Sequence, residues 1–331
     1  MVRAVRTVVM VALGLVLALA GCGAASGPDL SAHALLTGVA MSSATDGWAV
    51  GEYGTILRYT GGAWRPFPAP THADLYGVAS LSASEAWAVG LDIAAGHGVL
   101  LHFADGRWEQ VRGLSVPALR SVTLVSPVEG WAVGDGGTIL HLTGGQWHAL
   151  PPITHYPLYA VAMGASGDGW AVGYGMHNTS DGAVDTGAIL RYHAGLWSNT
   201  DHSADPTTSP YARLRLYSVA VASNGEAWVV GLSHKRPGLV LHNSGGSWQL
   251  ANEFGPYLLM DVRVVSQADS WAVGYNGTLL HYDGVRWKLA GSPTKSDLAG
   301  LAMVGPDEGW AVGDDHLILH LHNGTWSVYQ S

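Results

Sequence analysis

Cysteine is almost absent from this sequence: Cys22 is the only one in 331 residues. That excludes a disulfide framework and a thiolate metal cluster. Charge is sparse, at 12% Asp, Glu, Lys and Arg, yet 48% of the residues are hydrophobic, so the chain is not of the polar kind that stays unfolded. Basic residues are outnumbered 16 to 25, which removes the positive footprint that nucleic-acid binding needs. Phe is scarce at 3, while Trp reaches 14 and Gly 45. The glycines lack the third-residue period of collagen, so many tight turns account for them. Tryptophan without phenylalanine points to aromatics required at fixed places.

The N-terminus reads as an address. Arg3 and Arg6 precede an apolar run over 7–20, which is short for a membrane span. The run ends in Leu19-Ala20-Gly21-Cys22, which resembles a bacterial lipobox. Residues 1–21 are therefore expected to be a lipoprotein signal peptide, with Cys22 lipidated and 22–35 a flexible tether. Acyl chains on Cys22 would hold the protein at the cell membrane, facing outside the cytoplasm. Removal of Arg3 and Arg6 takes the formal charge from −9 to about −11.

The remainder, 36–331, is a repeat. A tetrapeptide close to Trp-Ala-Val-Gly recurs at Trp48, Trp87, Trp131, Trp170, Trp228, Trp271 and Trp310. A second tryptophan follows each, at Trp64, Trp108, Trp147, Trp197, Trp248, Trp287 and Trp326. A leucine stands 12 residues before every first Trp, from Leu36 to Leu298. Each unit reads as four short strands, a to d, with Gly-Gly, Asp-Gly, Ala-Gly or Asn-Gly marking a tight c–d hairpin. One such sheet cannot bury both of its faces, whereas a closed ring of them can. The expected fold is all-β, a seven-bladed β-propeller of four-stranded antiparallel blades, with Trp filling the space between blades. How the ring closes is left open, because strand a begins at Leu36 and strand d ends the chain.

Two polar positions recur in every unit. An acidic residue sits two before each first Trp, at Asp46, Glu85, Glu129, Asp168, Glu226, Asp269 and Glu308. The expected role is to accept backbone N–H bonds in the a–b turn. A basic or imidazole residue sits six before each second Trp, at Arg58, His102, His141, Arg191, His242, His281 and His320. Imidazoles on different blades are too far apart to share an ion, so inter-blade hydrogen bonds or ion pairs are expected rather than a metal. No nucleophile elbow, phosphate-binding loop or zinc-type His spacing occurs, and neither a cofactor nor a metal is expected.

Departures from the repeat fall on one face. The b–c connection is longer in repeats 2, 4 and 5, as loops around 92–98, 175–186 and 233–237. The d–a connection spans 11 residues throughout, except for 19 between Trp197 and Leu216. In an up-and-down blade both connections lie on the same side, which often is the binding side. The residue after each strand-a leucine opens there too, and four of these are Tyr76, Arg120, Tyr159 and Tyr217. With Tyr211, Arg213, Arg215, Lys235 and Arg236 they form the candidate binding face, rich in the residue types that dominate interface hot spots.

The run from Gly130 to His141 (GWAVGDGGTILH), followed by Gly144-Gly145-Gln146-Trp147, resembles the photosystem II stability/assembly factor family. It also resembles the broader Asp-box repeat propellers that include sialidases, although only Asp105 and Asp283 keep the Asp of that box. The first resemblance implies a seven-bladed ring that binds protein partners during assembly through an arginine-rich patch, a patch with no residue-by-residue equivalent here. The expected function is a monomeric, membrane-anchored, non-catalytic scaffold with a protein partner. The alternative is a glycan binder or sialidase-like enzyme, for which Arg120, Arg263, Asp261 and Tyr217 are the channel candidates.

Overall fold

A computed structural model describes residues 34–179, 182–201, 207–235 and 237–330. The expected signal peptide, Cys22 and Arg236 lie outside the described residues, as does the tether up to 33. The described chain forms seven four-stranded antiparallel sheets, each built from four consecutive strands. Blade 1 comprises Leu36–Ser43, Asp46–Gly51, Ile56–Thr60 and Ala63–Pro66; blade 7 comprises Leu298–Gly305, Glu308–Gly313, Ile318–His322 and Thr325–Val328. No described helix is long and apolar enough to cross a membrane.

The tryptophans join the blades. The first Trp of each blade meets the second Trp of the next, edge to face, at 5.0–5.6 Å between ring centroids. All seven first tryptophans are buried, and Trp48, Trp131 and Trp310 almost completely so. The indole N–H groups of Trp48, Trp131, Trp271 and Trp310 find no partner, so these rings serve as apolar area and shape, whereas Trp87 Nε1–H donates to Glu85. The seventh pair, Trp310 with Trp64, closes the ring in the same geometry. His316 N–H donates to the Ala34 carbonyl across that seam, as Gly54 N–H does to Ala73 between blades 1 and 2. Among the described residues no strand is exchanged between the end blades.

Strand a carries a β-bulge immediately after its leucine in all seven blades, for example between Leu75 and Gly77. A bulge re-aims the extra side chain. Here it turns Thr37, Tyr76, Arg120, Tyr159, Tyr217, Met260 and Ala299 into the central channel, a cavity of about 430 Å³. The bulge also explains the glycine of Trp-Ala-Val-Gly. A Cβ on Gly134 would come within 2.0 Å of the Ala118 carbonyl oxygen, and the other six glycines face the same clash.

The recurring polar pair proves to be a single device within one blade. The strand-c Arg or His faces the a–b turn carboxylate of its own blade in all seven cases, at 2.6–3.5 Å, correcting the expected inter-blade bond and the expected backbone-capping role. Strand pairing dictates this, because Trp131 lies opposite His141 in the register and Glu129 lies two residues back on the same face. Each imidazole also stacks on its blade's first Trp at 3.9–4.3 Å, and Arg58 and Arg191 lie over Trp48 and Trp170. Among the described residues, Arg58 alone of these adds a bond to the next blade, to the Ala83 carbonyl.

The long b–c connection of repeat 4, expected as a loop, is instead an extended hairpin. Gly169–Thr179 pairs with Gly182–His193 out to Thr179 and Gly182. About six residue pairs project past the usual blade end, roughly 20 Å at strand rise. Residues of the 19-residue d–a connection pack against it: Arg213 N–H donates to the Asp185 carbonyl, and Gly187 N–H to the Tyr211 carbonyl.

Candidate functional site at the channel mouth

The bulged strand-a residues and the residues after each Trp-Ala-Val-Gly meet around the channel opening on the b–c/d–a side. Arg120 is the centre of one half. Its guanidinium makes two bonds to the Asp135 carboxylate, at 2.8 and 2.9 Å. It lies 4.9 Å from the Tyr76 ring and 5.5 Å from the Tyr159 ring. The carboxylate thus holds a cation between two aromatic faces.

Tyr159 continues the array. It stacks on Tyr174 at 5.1 Å, and both meet Tyr217 edge-on, at 6.0 and 5.8 Å. Arg215 lies 5.3 Å over Tyr174. It is anchored at 2.7 Å by Asp185, a 3% exposed carboxylate that His234 also approaches at 2.8 Å. Burial raises the Tyr159 and Tyr217 hydroxyls well above the usual phenol range, reinforced by the neighbouring Tyr174. Both are therefore neutral donors at physiological pH.

The opposite side of the mouth is acidic. Burial, together with Asp74 and Asp314, raises the Glu52 carboxyl; burial, Asp297 and Asp315 raise that of Asp314. Blades 2 to 5 therefore present aromatic and guanidinium groups, while blades 7 and 1 present carboxylates. The ring has seven-fold architecture and a two-sided mouth.

The structure brings together Tyr76, Arg120, Tyr159, Tyr217 and Arg215 of the expected face. Tyr211 is different: it packs into the core between blades 4 and 5, with its hydroxyl 3.2 Å from Thr200 Oγ1. Its side chain therefore belongs to the support of the insertion. Arg213 and Lys235 are exposed on neighbouring insertions, tied by the bond from His234 N–H to the Arg213 carbonyl. Sequence reasoning missed Tyr174, Tyr275 and Asp135. The signal was available: each directly follows the glycine of a Trp-Ala-Val-Gly unit.

These features define a seven-bladed β-propeller with an irregular aromatic mouth on one face of its channel. No protein-family model matches the chain, and no curated protein matches it. Among solved structures it is similar to one described as YCF48 bound to D1 peptide, at 18% identity and a TM-score of 0.65 over 88% of this chain and 92% of that one. It is likewise similar to YCF48 from Cyanidioschyzon merolae, at 19% identity and a TM-score of 0.64 over 88% and 97%. The likeness carried by the repeat motif is thus met in the fold.

Proposed function

We propose that this protein is an extracytoplasmic, monomeric binding scaffold, held at the membrane through Cys22, that receives a protein partner across the tyrosine–arginine side of its channel mouth. The array Tyr76–Arg120–Tyr159–Tyr174–Tyr217 carries the reading. It is contiguous, rigidly braced and open to the face that bears every insertion. Rigid aromatics with a braced guanidinium bind with little loss of side-chain freedom. A D1 peptide bound to one of the similar propellers supports a peptide or protein as ligand.

Catalysis of the sialidase type is disfavoured by the commitments of the channel arginines. Arg120 is spent on Asp135. Arg263 is spent on Asp261, which also accepts Ser218 Oγ–H and Leu301 N–H. A substrate carboxylate would have to displace both pairs.

The test is site-specific photo-crosslinking in cells. A photoreactive residue at Tyr76 should give a discrete protein adduct that Tyr159→Ala or Tyr174→Ala abolishes. The same residue at Thr143, on the opposite face, should give none. Equal labelling from both faces would sink the assignment.

A further inference from the structure

The packing between neighbouring blades has one gap. After the strand-c cation, six blades carry Tyr59, Phe103, Leu142, Tyr192, Tyr282 or Leu321. The four aromatics pack at 4.6–4.9 Å on the first Trp of the preceding blade. Blade 5 has Asn243 there. A cavity of about 420 Å³ opens between blades 4 and 5 on the a–b/c–d face, lined by Asp168, Trp170, Arg191, Asn224, Glu226 and Asn243.

Unpartnered buried polar atoms and two lengthened polar pairs mark it as built for a ligand. Asn243 is 3% exposed, and its amide nitrogen has no partner; its oxygen accepts Gly246 N–H. Arg191 Nε and His242 Nε2 are also buried without hydrogen bonds. The pairs Arg191–Asp168 and His242–Glu226, one on each side of the gap, are 3.5 Å long, whereas the other five are 2.6–3.0 Å. Among the described residues these are the two longest of the seven pairs, and Asp168 keeps a second bond, to His193 at 2.8 Å.

The chemistry narrows the ligand. Unpaired donors from Arg191 and Asn243 disfavour a cation, and the Asp168 and Glu226 carboxylates disfavour an anion. A ligand offering adjacent hydroxyls satisfies both sets, and the volume suits a small molecule. We propose that this cavity binds a neutral pyranose, free or as a terminal glycan unit. The proposal is independent of the protein-binding mouth, which lies on the other face.

Saturation-transfer NMR on the full chain would test it with glucose, mannose, galactose and N-acetylglucosamine, and a glycan array would separate free from terminal sugar. At least one pyranose should bind the wild type. Asn243→Tyr and Asn243→Leu, which restore the side chains of blades 4 and 3, should weaken binding at least tenfold without lowering Tm. Absence of transfer from every pyranose on both NMR and array, or undiminished binding to a folded filled variant, overturns the proposal. So does tighter binding of sulfate or calcium at the same residues.

A second departure stands apart from the first. Blade 7 carries His322 two residues beyond His320, where blade 3 has Thr143. One ligand atom each from Glu308, His320 and His322 lies within 4.8 Å of the others. Stacking on Trp310 at 3.9 Å fixes the His320 ring, and His322 is exposed. In blade 4, His193 also meets its turn carboxylate, but Arg191 replaces the second imidazole and cannot ligate. We infer that blade 7 binds one zinc-class divalent ion through two imidazoles and a carboxylate, with a position left for water. Cobalt absorption with zinc competition should show one site per chain. His322→Thr should abolish it, and Thr143→His should create a second. Absence of a stoichiometric site, or its persistence in His322→Thr, defeats the inference.

Discussion

The indole of Trp310 meets that of Trp64 at 5.5 Å and 85°, so the last blade contacts the first through the geometry that joins every other pair. Closure is therefore chiefly a packing event, to which the Tyr329 hydroxyl adds one bond across the seam, donated to the Gly62 carbonyl. Trp310→Ala should cost about 3–5 kcal/mol in urea unfolding, as for deletion of a large buried ring. Trp131→Ala should cost a similar amount. A seam variant twice as damaging as the interior one would show that closure depends on more than this contact.

How far the sequence reveals this molecule is clear from the same residues. Fixed spacings from leucine to tryptophan made the blades legible, because each spacing is a strand length plus a turn. The Glu129–His141 pair was visible as two separate regularities and not as one contact, since sequence distance hides strand register. The mouth was half legible. Tyr76, Arg120, Tyr159 and Tyr217 share one repeat position, whereas Asp135 and Tyr174 share another that meets it only after the bulge turns strand a. Tyr211 misled because an aromatic in a long connection looks like a surface anchor, while here it is half-buried support.

Asp314 provides a pH test. Burial, then Asp297 and Asp315, raises its carboxyl above the ordinary value of 3.8. The folded state therefore holds its proton more tightly than the unfolded chain, so stability falls as pH rises from that value through the folded pKa, and the penalty stays in force above it. Asp314→Asn should raise Tm at pH 7 and leave it nearly unchanged at pH 3. An equal shift at both values would assign the gain to something other than charge.

Cys22 provides a test of address. Two acyl chains hold a protein at a bilayer firmly, whereas one holds it marginally. Cys22→Ser should move the protein from the membrane pellet to the soluble fraction and end incorporation of labelled fatty acid. Retention in the pellet with no label incorporated would indicate an uncleaved N-terminal anchor instead.

Arg120 decides between bracing and bare charge at the mouth. Its two parallel bonds to Asp135 need the planar fork of a guanidinium, which an ammonium lacks. Arg120→Lys keeps the charge but gives up the fork and much of the contact with Tyr76 and Tyr159. It should cost about 1–2 kcal/mol of stability, and crosslinking from Tyr76 should fall nearly as far as with Arg120→Ala. Asp135→Asn should do the same through the other partner, and the double variant should be no worse than either single one, because the two residues act as one unit. If Arg120→Lys kept full crosslinking, the partner would be reading the positive charge and not the braced aromatic surface.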